Sequence, residues 1–206
     1  GLNASGRSPA SLTRDEFTRR GLTSIPATGP LPVSVPGCVD GWAQLHERFG
    51  KLPLAEVLAP AIRYAKEGAP ISEVIAYYWA RNARVLKDFP GFAEVFMPDG
   101  KAPQKGQLFK NPDLADTLTA IGKGGADAFY RGDVAATMAR FHAENGGLIT
   151  LDDFAAYACT VEPPLKIEWG GLDVYGLGPW SSGAMGLEIL NMLDAGELKA
   201  MGHNSA

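Results

Sequence analysis

Residues 35–68 decide the fold of this chain; they are Val35-Pro-Gly-Cys-Val-Asp-Gly-Trp-Ala-Gln-Leu-His-Glu-Arg-Phe-Gly-Lys-Leu-Pro-Leu-Ala-Glu-Val-Leu-Ala-Pro-Ala-Ile-Arg-Tyr-Ala-Lys-Glu-Gly68. In both halves of this stretch, apolar residues recur at the spacing of one face of a helix. The two faces consist of Val39, Trp42, Leu45 and Phe49, and of Leu54, Val57, Leu58, Ala61 and Ala65. The pattern predicts two amphipathic helices, and Pro60 is expected to kink the second because proline removes a backbone hydrogen bond.

Local signals on either side predict where other elements begin. Residues 24–36 contain four prolines, which favours an extended or irregular segment. A third helix is predicted from Ile71 to Leu86. Asn111-Pro112 is typical of a helix start, with asparagine as N-cap and proline in the first turn.

Two more helices are predicted in the middle of the chain. One carries an apolar face of Val134, Met138 and Phe141 and ends at Asn145-Gly-Gly147. The other begins at Thr150-Leu-Asp-Asp153, which has the pattern of a capping box, and is expected to end near Tyr157.

The periodicity changes near the end of the chain. Residues 165–169 and 172–177 alternate apolar and polar side chains around Gly170-Gly171, which predicts a β-hairpin. A two-stranded hairpin is not stable alone, so we expect it to join a larger sheet. A closing helix over 181–193 is predicted to turn inward Met185, Ile189, Met192 and Leu193. The pattern as a whole predicts an α/β (α+β) chain, with 1–206 as a single domain.

The composition excludes several classes of protein. The 206 residues are 46% hydrophobic and 20% charged, which is typical of a globular protein with a real core. The formal net charge of -4 gives no basic surface for nucleic acid. The apolar runs are too short to span a bilayer. No glycine-rich phosphate loop or other cofactor motif is present, so no cofactor is expected.

Histidine and cysteine offer no clear site. His46-Glu47 lacks the second histidine of a metalloprotease motif, and His142 is placed on a polar helix face, so neither these nor His203 receives a chemical role. Cys38 and Cys159 fit no metal-ligand spacing. They are interpreted as two buried small apolar residues, with a disulfide as the alternative. We expect no metal site.

Two segments contain candidate binding groups. Asn3-Ala-Ser-Gly-Arg-Ser-Pro9 places Arg7 between small residues, and its planar guanidinium suits a carboxylate. The alternative is that Arg7 pairs with a neighbouring Asp or Glu. Pro179-Trp-Ser-Ser-Gly183 precedes a helix, where free N–H groups attract anions; the alternative is that Ser181 or Ser182 caps that helix.

Four segments together resemble the large subunit of the gamma-glutamyltransferase (gamma-glutamyltranspeptidase) family. In the family's order they are Val35 to Gly68, Gly125-Ala-Asp-Ala-Phe-Tyr-Arg-Gly132, Asn145-Gly-Gly-Leu-Ile-Thr-Leu-Asp-Asp-Phe-Ala-Ala-Tyr157 and Gly178-Pro-Trp-Ser-Ser-Gly-Ala184. The resemblance implies part of the αββα sandwich of an N-terminal-nucleophile hydrolase. The chain would be an internal fragment of the large subunit, mostly its helical layer plus a β-hairpin.

The resemblance also implies a function and a partner. Members of the family are zymogens that cleave themselves, and the new N-terminal Thr of the small subunit attacks the substrate. No Thr of this chain is followed by His, as that segment would require, so the nucleophile is expected outside the chain. The catalytic small subunit of the same precursor is therefore the expected partner. A gamma-glutamyl small molecule, by default glutathione, is the expected substrate, and the chain alone is expected to be inactive.

One departure bears on the substrate. The family's Arg-Glu-x-Ala-Pro stretch holds the glutamyl α-carboxylate with its Arg, but the matching position, counted back from Pro9, is Ser5. Arg7, two places later, is the candidate substrate-binding residue of a gamma-glutamyltransferase-like branch. Two alternatives stay open: a cephalosporin or glutaryl acylase of the same fold, and a non-catalytic helical scaffold or interaction module. The compartment is left open between periplasmic or secreted and cytoplasmic, in a bacterial-like protein.

Overall fold

The computed structural model describes residues 1–205, which pack as two compact units. The hairpin unit contains Gly1–Gly6, Pro36–Gly41 and the chain from Ala158 onward. The helical unit contains Arg7–Val35 and Trp42–Tyr157. The single domain expected over 1–206 stays a prediction.

Helices dominate the described residues, and the strands are short and antiparallel. The helices are α1 (Arg14–Arg19), α2 (Cys38–Phe49), α3 (Leu54–Glu67), α4 (Glu73–Leu86), α5 (Phe92–Phe96), α6 (Pro112–Tyr130), α7 (Asp133–Glu144), α8 (Leu151–Ala155), α9 (Gly183–Asn191) and α10 (Ala195–Met201). The strands are β1 (Leu2–Asn3), β2 (Ala69–Pro70), β3 (Leu108–Phe109), β4 (Thr160–Val161), β5 (Leu165–Trp169) and β6 (Leu172–Gly176). The pairs are β1 with β4, β2 with β3, and β5 with β6.

Two predicted helix starts are confirmed by their caps, and a third is shifted by two residues. Asn111 accepts the Leu114 N–H at 3.0 Å in front of α6. Thr150 and Asp153 form both bonds of the capping box before α8, although this helix ends at Ala155, before the predicted Tyr157. The helix predicted from Ile71 begins at Glu73 because Ser72 is its N-cap.

The core of the helical unit lies largely between α3 and α6. Ala65 of α3 is buried, as are Leu118 and Ile121 of α6. Of the apolar face predicted for α2, only Val39 is buried, while Trp42, Leu45 and Phe49 stay exposed. α3 runs through Pro60 as one helix.

The hairpin predicted around Gly170-Gly171 is confirmed. Both glycines have positive φ, +59° and +78°, as a tight two-residue hairpin turn requires. The register pairs Leu165 with Gly176 and Trp169 with Leu172. The described residues pair these two strands only with each other, so the larger sheet stays a prediction.

The face of α9 that packs on the hairpin differs from the prediction. Leu187 is the buried residue of α9. Met185, Ile189, Met192 and Leu193, predicted to turn inward, are exposed by 57%, 46%, 76% and 40%. Successive helical residues turn by about 100°, so positions two places from Leu187 point to the opposite side. The sequence pattern identified an apolar face but not which of two apolar faces the hairpin covers.

Candidate functional site

Arg7 lies on an irregular segment whose backbone is held in place. Its carbonyl oxygen accepts the Val35 N–H at 2.9 Å, and Val35 is only 1% exposed. Pro9, two residues further on, is buried, and its carbonyl accepts the Leu12 N–H at 3.0 Å. The main chain around Arg7 is therefore ordered while its side chain is exposed.

The Arg7 guanidinium makes no ion pair with any residue between 1 and 205. Arg19 and Arg20 of the same unit both contact Glu16 at 2.6 Å. Several other arginines of that unit, such as Arg14 and Arg140, also lack an ion pair among the described residues. The ion-pair alternative proposed for Arg7 thus finds no partner among the described residues. Ser5, at the family's arginine position, has its backbone N–H bonded to Asn3 Oδ1 at 2.9 Å.

The turn before α9 is organised by Ser181. Its hydroxyl accepts the Gly183 N–H and donates to the Gly178 carbonyl, both at 3.1 Å. Ser182 occupies the N-cap position without a side-chain cap bond. Ser181 therefore satisfies a free N–H at the start of α9, which agrees with the capping interpretation.

Glu162 is a residue that the sequence analysis missed. Its Oε2 accepts the Trp180 indole N–H at 2.8 Å, and its Oε1 accepts the Thr160 hydroxyl at 2.9 Å and the Asn3 amide at 3.5 Å. The Thr160 hydroxyl, followed by the Trp180 indole, lowers the pKa of this carboxyl against the opposing effect of burial. Asn3 is 159 residues away in sequence, so no local pattern could have indicated the cluster.

The three histidines differ in burial and contacts. His142, placed on a polar face by the sequence, is instead 7% exposed, and its Nδ1 has no hydrogen-bond partner among the described residues. It is buried because α7 turns this side against the chain that follows, where Gly147 packs on the ring. Burial lowers the pKa of His142. His46 Nε2 contacts the Leu52 carbonyl at 2.6 Å, and His203 is exposed.

The cysteines also differ from the prediction. Both are free, Cys38 is exposed, and Cys159 is half-buried. Cys38 is the first residue of α2, where its side chain is open to solvent, whereas the Cys159 thiol lies 3.7 Å from the Gly37 carbonyl oxygen. Neither the disulfide nor a buried Cys38 is therefore found.

Within residues 1–205, the structure has neither a metal-ligand cluster nor a helix that could span a membrane. No group of three or more His, Cys, Asp or Glu side chains lies close enough to hold a metal ion in this part of the chain. None of the helices described here combines the length and the apolar character needed to cross a bilayer.

Comparison with known proteins identifies the family. The sequence model of the gamma-glutamyltranspeptidase family matches residues 1–206. The chain is 37% identical over 204 residues to the glutathione hydrolase-like YwrD proenzyme of Bacillus subtilis (strain 168), covering 98% of this chain and 38% of that protein.

Solved structures agree with the sequence match. A cephalosporin acylase from Bacillus halodurans has a TM-score of 0.89 at 38% identity, over 93% of this chain and 37% of that one. The gamma-glutamyltranspeptidase of Helicobacter pylori has a TM-score of 0.91 at 30% identity, over 100% of this chain and 60% of that one. The predicted α/β fold of an N-terminal-nucleophile hydrolase is thereby confirmed.

The chain spans about a third of the length of the curated relatives it matches. The match nevertheless runs through all four segments quoted from the sequence. The chain belongs to the gamma-glutamyltranspeptidase family.

Proposed function

We propose that the full-length protein carrying this chain hydrolyses or transfers gamma-glutamyl amides such as glutathione. The observation that carries the proposal is Arg7, a guanidinium that is exposed and without an ion-pair partner among residues 1–205, on a backbone held by Val35. Such a group can offer two parallel N–H donors to the α-carboxylate of a glutamyl substrate.

The reaction needs a nucleophile that the family supplies elsewhere. A threonine hydroxyl is weakly nucleophilic unless a base lies beside it, and a free α-amine on the same residue provides that base. Chain cleavage creates the amine. The acyl-enzyme is then resolved by water or by an acceptor amine, with an oxyanion hole stabilising the tetrahedral states. We place this Thr outside 1–206, on the small subunit, and expect the 206-residue chain alone to be inactive.

The small subunit of the same precursor is the proposed partner. Support comes from the apolar face of α9, where Met185, Ile189 and Met192 are exposed, and from the unpaired outer edges of β5 and β6 within the described residues. Relatives named as proenzymes are consistent with a precursor that is processed.

An acylase is the second candidate function. Ser5 stands where the family's carboxylate-binding Arg is expected, and the likeness to a cephalosporin acylase is strong. A glutaryl amide keeps the carboxylate of a gamma-glutamyl amide but lacks its α-amine. Arg7 would therefore serve either substrate, and recognition of the amine would distinguish them.

The test is a substrate panel with the full-length, processed protein. Gamma-glutamyl and glutaryl anilides are compared by kcat/KM, with the 206-residue chain as a second sample. We expect the gamma-glutamyl anilide to be preferred and the chain alone to give no turnover. Preference for the glutaryl anilide would favour the acylase. Turnover of neither would favour a scaffold, and turnover by the chain alone that survives further purification would refute the external nucleophile.

A further inference from the structure

Asp153 is a carboxylate shared by two segments that are distant in sequence. Its Oδ2 accepts the Thr150 N–H at 2.9 Å and the Thr150 hydroxyl at 2.8 Å, within the capping box of α8. Its Oδ1 accepts the Ala10 N–H at 2.8 Å. Three donors thus converge on one half-buried carboxylate. An ionised carboxylate suits them because it only accepts hydrogen bonds, whereas a carboxamide would turn two N–H donors toward one of these groups.

The charge state of Asp153 agrees with this arrangement. Burial raises the pKa of Asp153, but the bonds from the Ala10 N–H, the Thr150 N–H and the Thr150 hydroxyl together lower it below the ordinary value. The side chain is therefore ionised near neutral pH.

Ser11 and Arg20, which follow Ala10 in the chain, also contact the loop before α8. The Ser11 hydroxyl donates to the Leu148 carbonyl at 3.2 Å. Arg20 Nη1 donates to the Gly146 carbonyl at 2.8 Å. All of these residues belong to the helical unit. Ala10, whose N–H bonds to Asp153, is three residues from Arg7 and closer to it in sequence than Ser11 or Arg20.

We propose that Asp153 is a positioning residue for Arg7. Through the Ala10 N–H it fixes the segment 7–13, so that the guanidinium is presented from an ordered backbone. A bidentate charge pair depends on orientation. If the segment moved freely, only a fraction of the molecules would hold Arg7 in the binding-competent arrangement. The apparent affinity for the substrate would fall in proportion to that fraction. This role rests on the proposed function of Arg7 and goes beyond the capping of α8.

Three variants of the full-length protein separate positioning from capping and from charge. Asp153→Ala removes both acceptor oxygens, including the Oδ1 that faces the Ala10 N–H. Asp152→Asn removes the same charge one residue earlier, from an exposed side chain. Thr150→Val removes the hydroxyl that caps α8 while leaving the carboxylate opposite the Ala10 N–H.

Hydrogen exchange of the peptide containing Ala10 reports on the segment itself. Asp153→Ala is expected to speed exchange of the Ala10 amide about 10- to 100-fold, the range expected for losing a hydrogen bond to a charged group. Asp152→Asn and Thr150→Val are expected to leave that amide unchanged, although Thr150→Val lowers the thermal midpoint. Unchanged exchange in Asp153→Ala would overturn the proposal.

Kinetics report on Arg7. Asp153→Ala is expected to raise KM for a gamma-glutamyl anilide roughly tenfold with kcat little changed. KM for a 4-aminobutyryl anilide, which lacks the α-carboxylate, should stay constant. Suppose that exchange of the Ala10 amide rises and both KM values stay constant, while Arg7→Ala weakens only the substrate with the α-carboxylate. The positioning role of Asp153 is then refuted, and the function of Arg7 stands. If Arg7→Ala is itself not selective, the proposed function of Arg7 fails, and positioning for substrate fails with it.

Discussion

Trp180 donates its indole N–H to Glu162 Oε2 at 2.8 Å across 18 residues of sequence. The same carboxylate accepts from Thr160 on β4 and from Asn3 on β1. Glu162 therefore joins the turn that precedes α9 to both strands of this small sheet, within the hairpin unit. A carboxylate that accepts hydrogen bonds from several segments holds them in one arrangement when every donor keeps its hydrogen bond.

Replacing Glu162 should loosen this turn. Glu162→Gln keeps the shape but exchanges one acceptor oxygen for a donor, so either Trp180 or the Thr160–Asn3 pair loses its acceptor. We expect a lower thermal midpoint of the full-length protein. In a double-mutant cycle, Glu162→Ala, which removes both acceptor oxygens, and Trp180→Phe should couple.

Trp169→Phe is the matched control for that cycle. The Trp169 indole donates to the Leu193 carbonyl at 2.8 Å and not to Glu162. The effect of Trp169→Phe should add to that of Glu162→Ala. Equal coupling of both tryptophans, or coupling of neither, would contradict the Glu162 cluster.

Gly147 should tolerate no side chain. A Cβ placed there would lie 2.8 Å from His142 Cγ and closer still to Nδ1, and the ring is buried. Gly147→Ala is expected to lower the free energy of unfolding by about 1–3 kcal/mol, the usual cost of overpacking.

Gly186→Ala is the control, because no atom lies within 4 Å of a Cβ at that helical position. It should be neutral or stabilise by about 0.5–1 kcal/mol. Denaturant unfolding that finds the two variants equal would refute the packing at His142.

His142 should make stability depend on pH. Burial lowers the pKa of His142 in the folded protein, so the unfolded chain takes up the proton first as pH falls below about 6.5. The free energy of unfolding is therefore expected to decrease below that pH until the folded form is also protonated, by at most about 1.4 kcal/mol per pH unit. His142→Gln should flatten this slope, whereas His203→Gln, at an exposed position, should not. A slope unchanged in His142→Gln would show that other groups cause it.

The sequence predicted well what depends on neighbouring residues. The Asn111 cap, the Thr150–Asp153 capping box and the turn at Gly170-Gly171 are local, because each is formed within three or four residues. The burial of His142 was predicted wrongly, since it depends on where the chain returns after α7.

In the candidate site, too, the local features could be predicted from the sequence, whereas contacts between distant residues could not. The local pattern and the resemblance indicate Arg7, but no local pattern indicates the hydrogen bonds that hold its segment. Asp153 was recognised as a capping residue, but its bond to Ala10 spans 143 residues. Glu162 could not be predicted because its partners Trp180 and Asn3 are distant from it in sequence. Contacts of this kind come from tertiary packing and not from periodicity.

The 206-residue chain alone should associate in solution. Met185, Ile189 and Met192 form an exposed apolar face on α9, and β5 and β6 have unpaired outer edges within the described residues. Exposed apolar faces and open strand edges favour contact with another chain. Light scattering is expected to show a mass that rises with concentration. A clean monomer with little binding of an apolar dye would contradict this expectation, and Met185→Lys with Ile189→Lys should reduce the association.

The carboxylate-binding role of Arg7 is tested by the effect of Arg7→Ala on kcat/KM for two substrates of the full-length protein. A charge pair shielded from water by the bound substrate contributes about 2–4 kcal/mol, so kcat/KM for a gamma-glutamyl anilide should fall roughly 30- to 1,000-fold. The value for a 4-aminobutyryl anilide, which lacks the α-carboxylate, should change little. Arg7→Lys should recover only part of the loss, because an ammonium cannot form two parallel hydrogen bonds. An equal loss on both substrates would contradict the claim that Arg7 binds the substrate carboxylate.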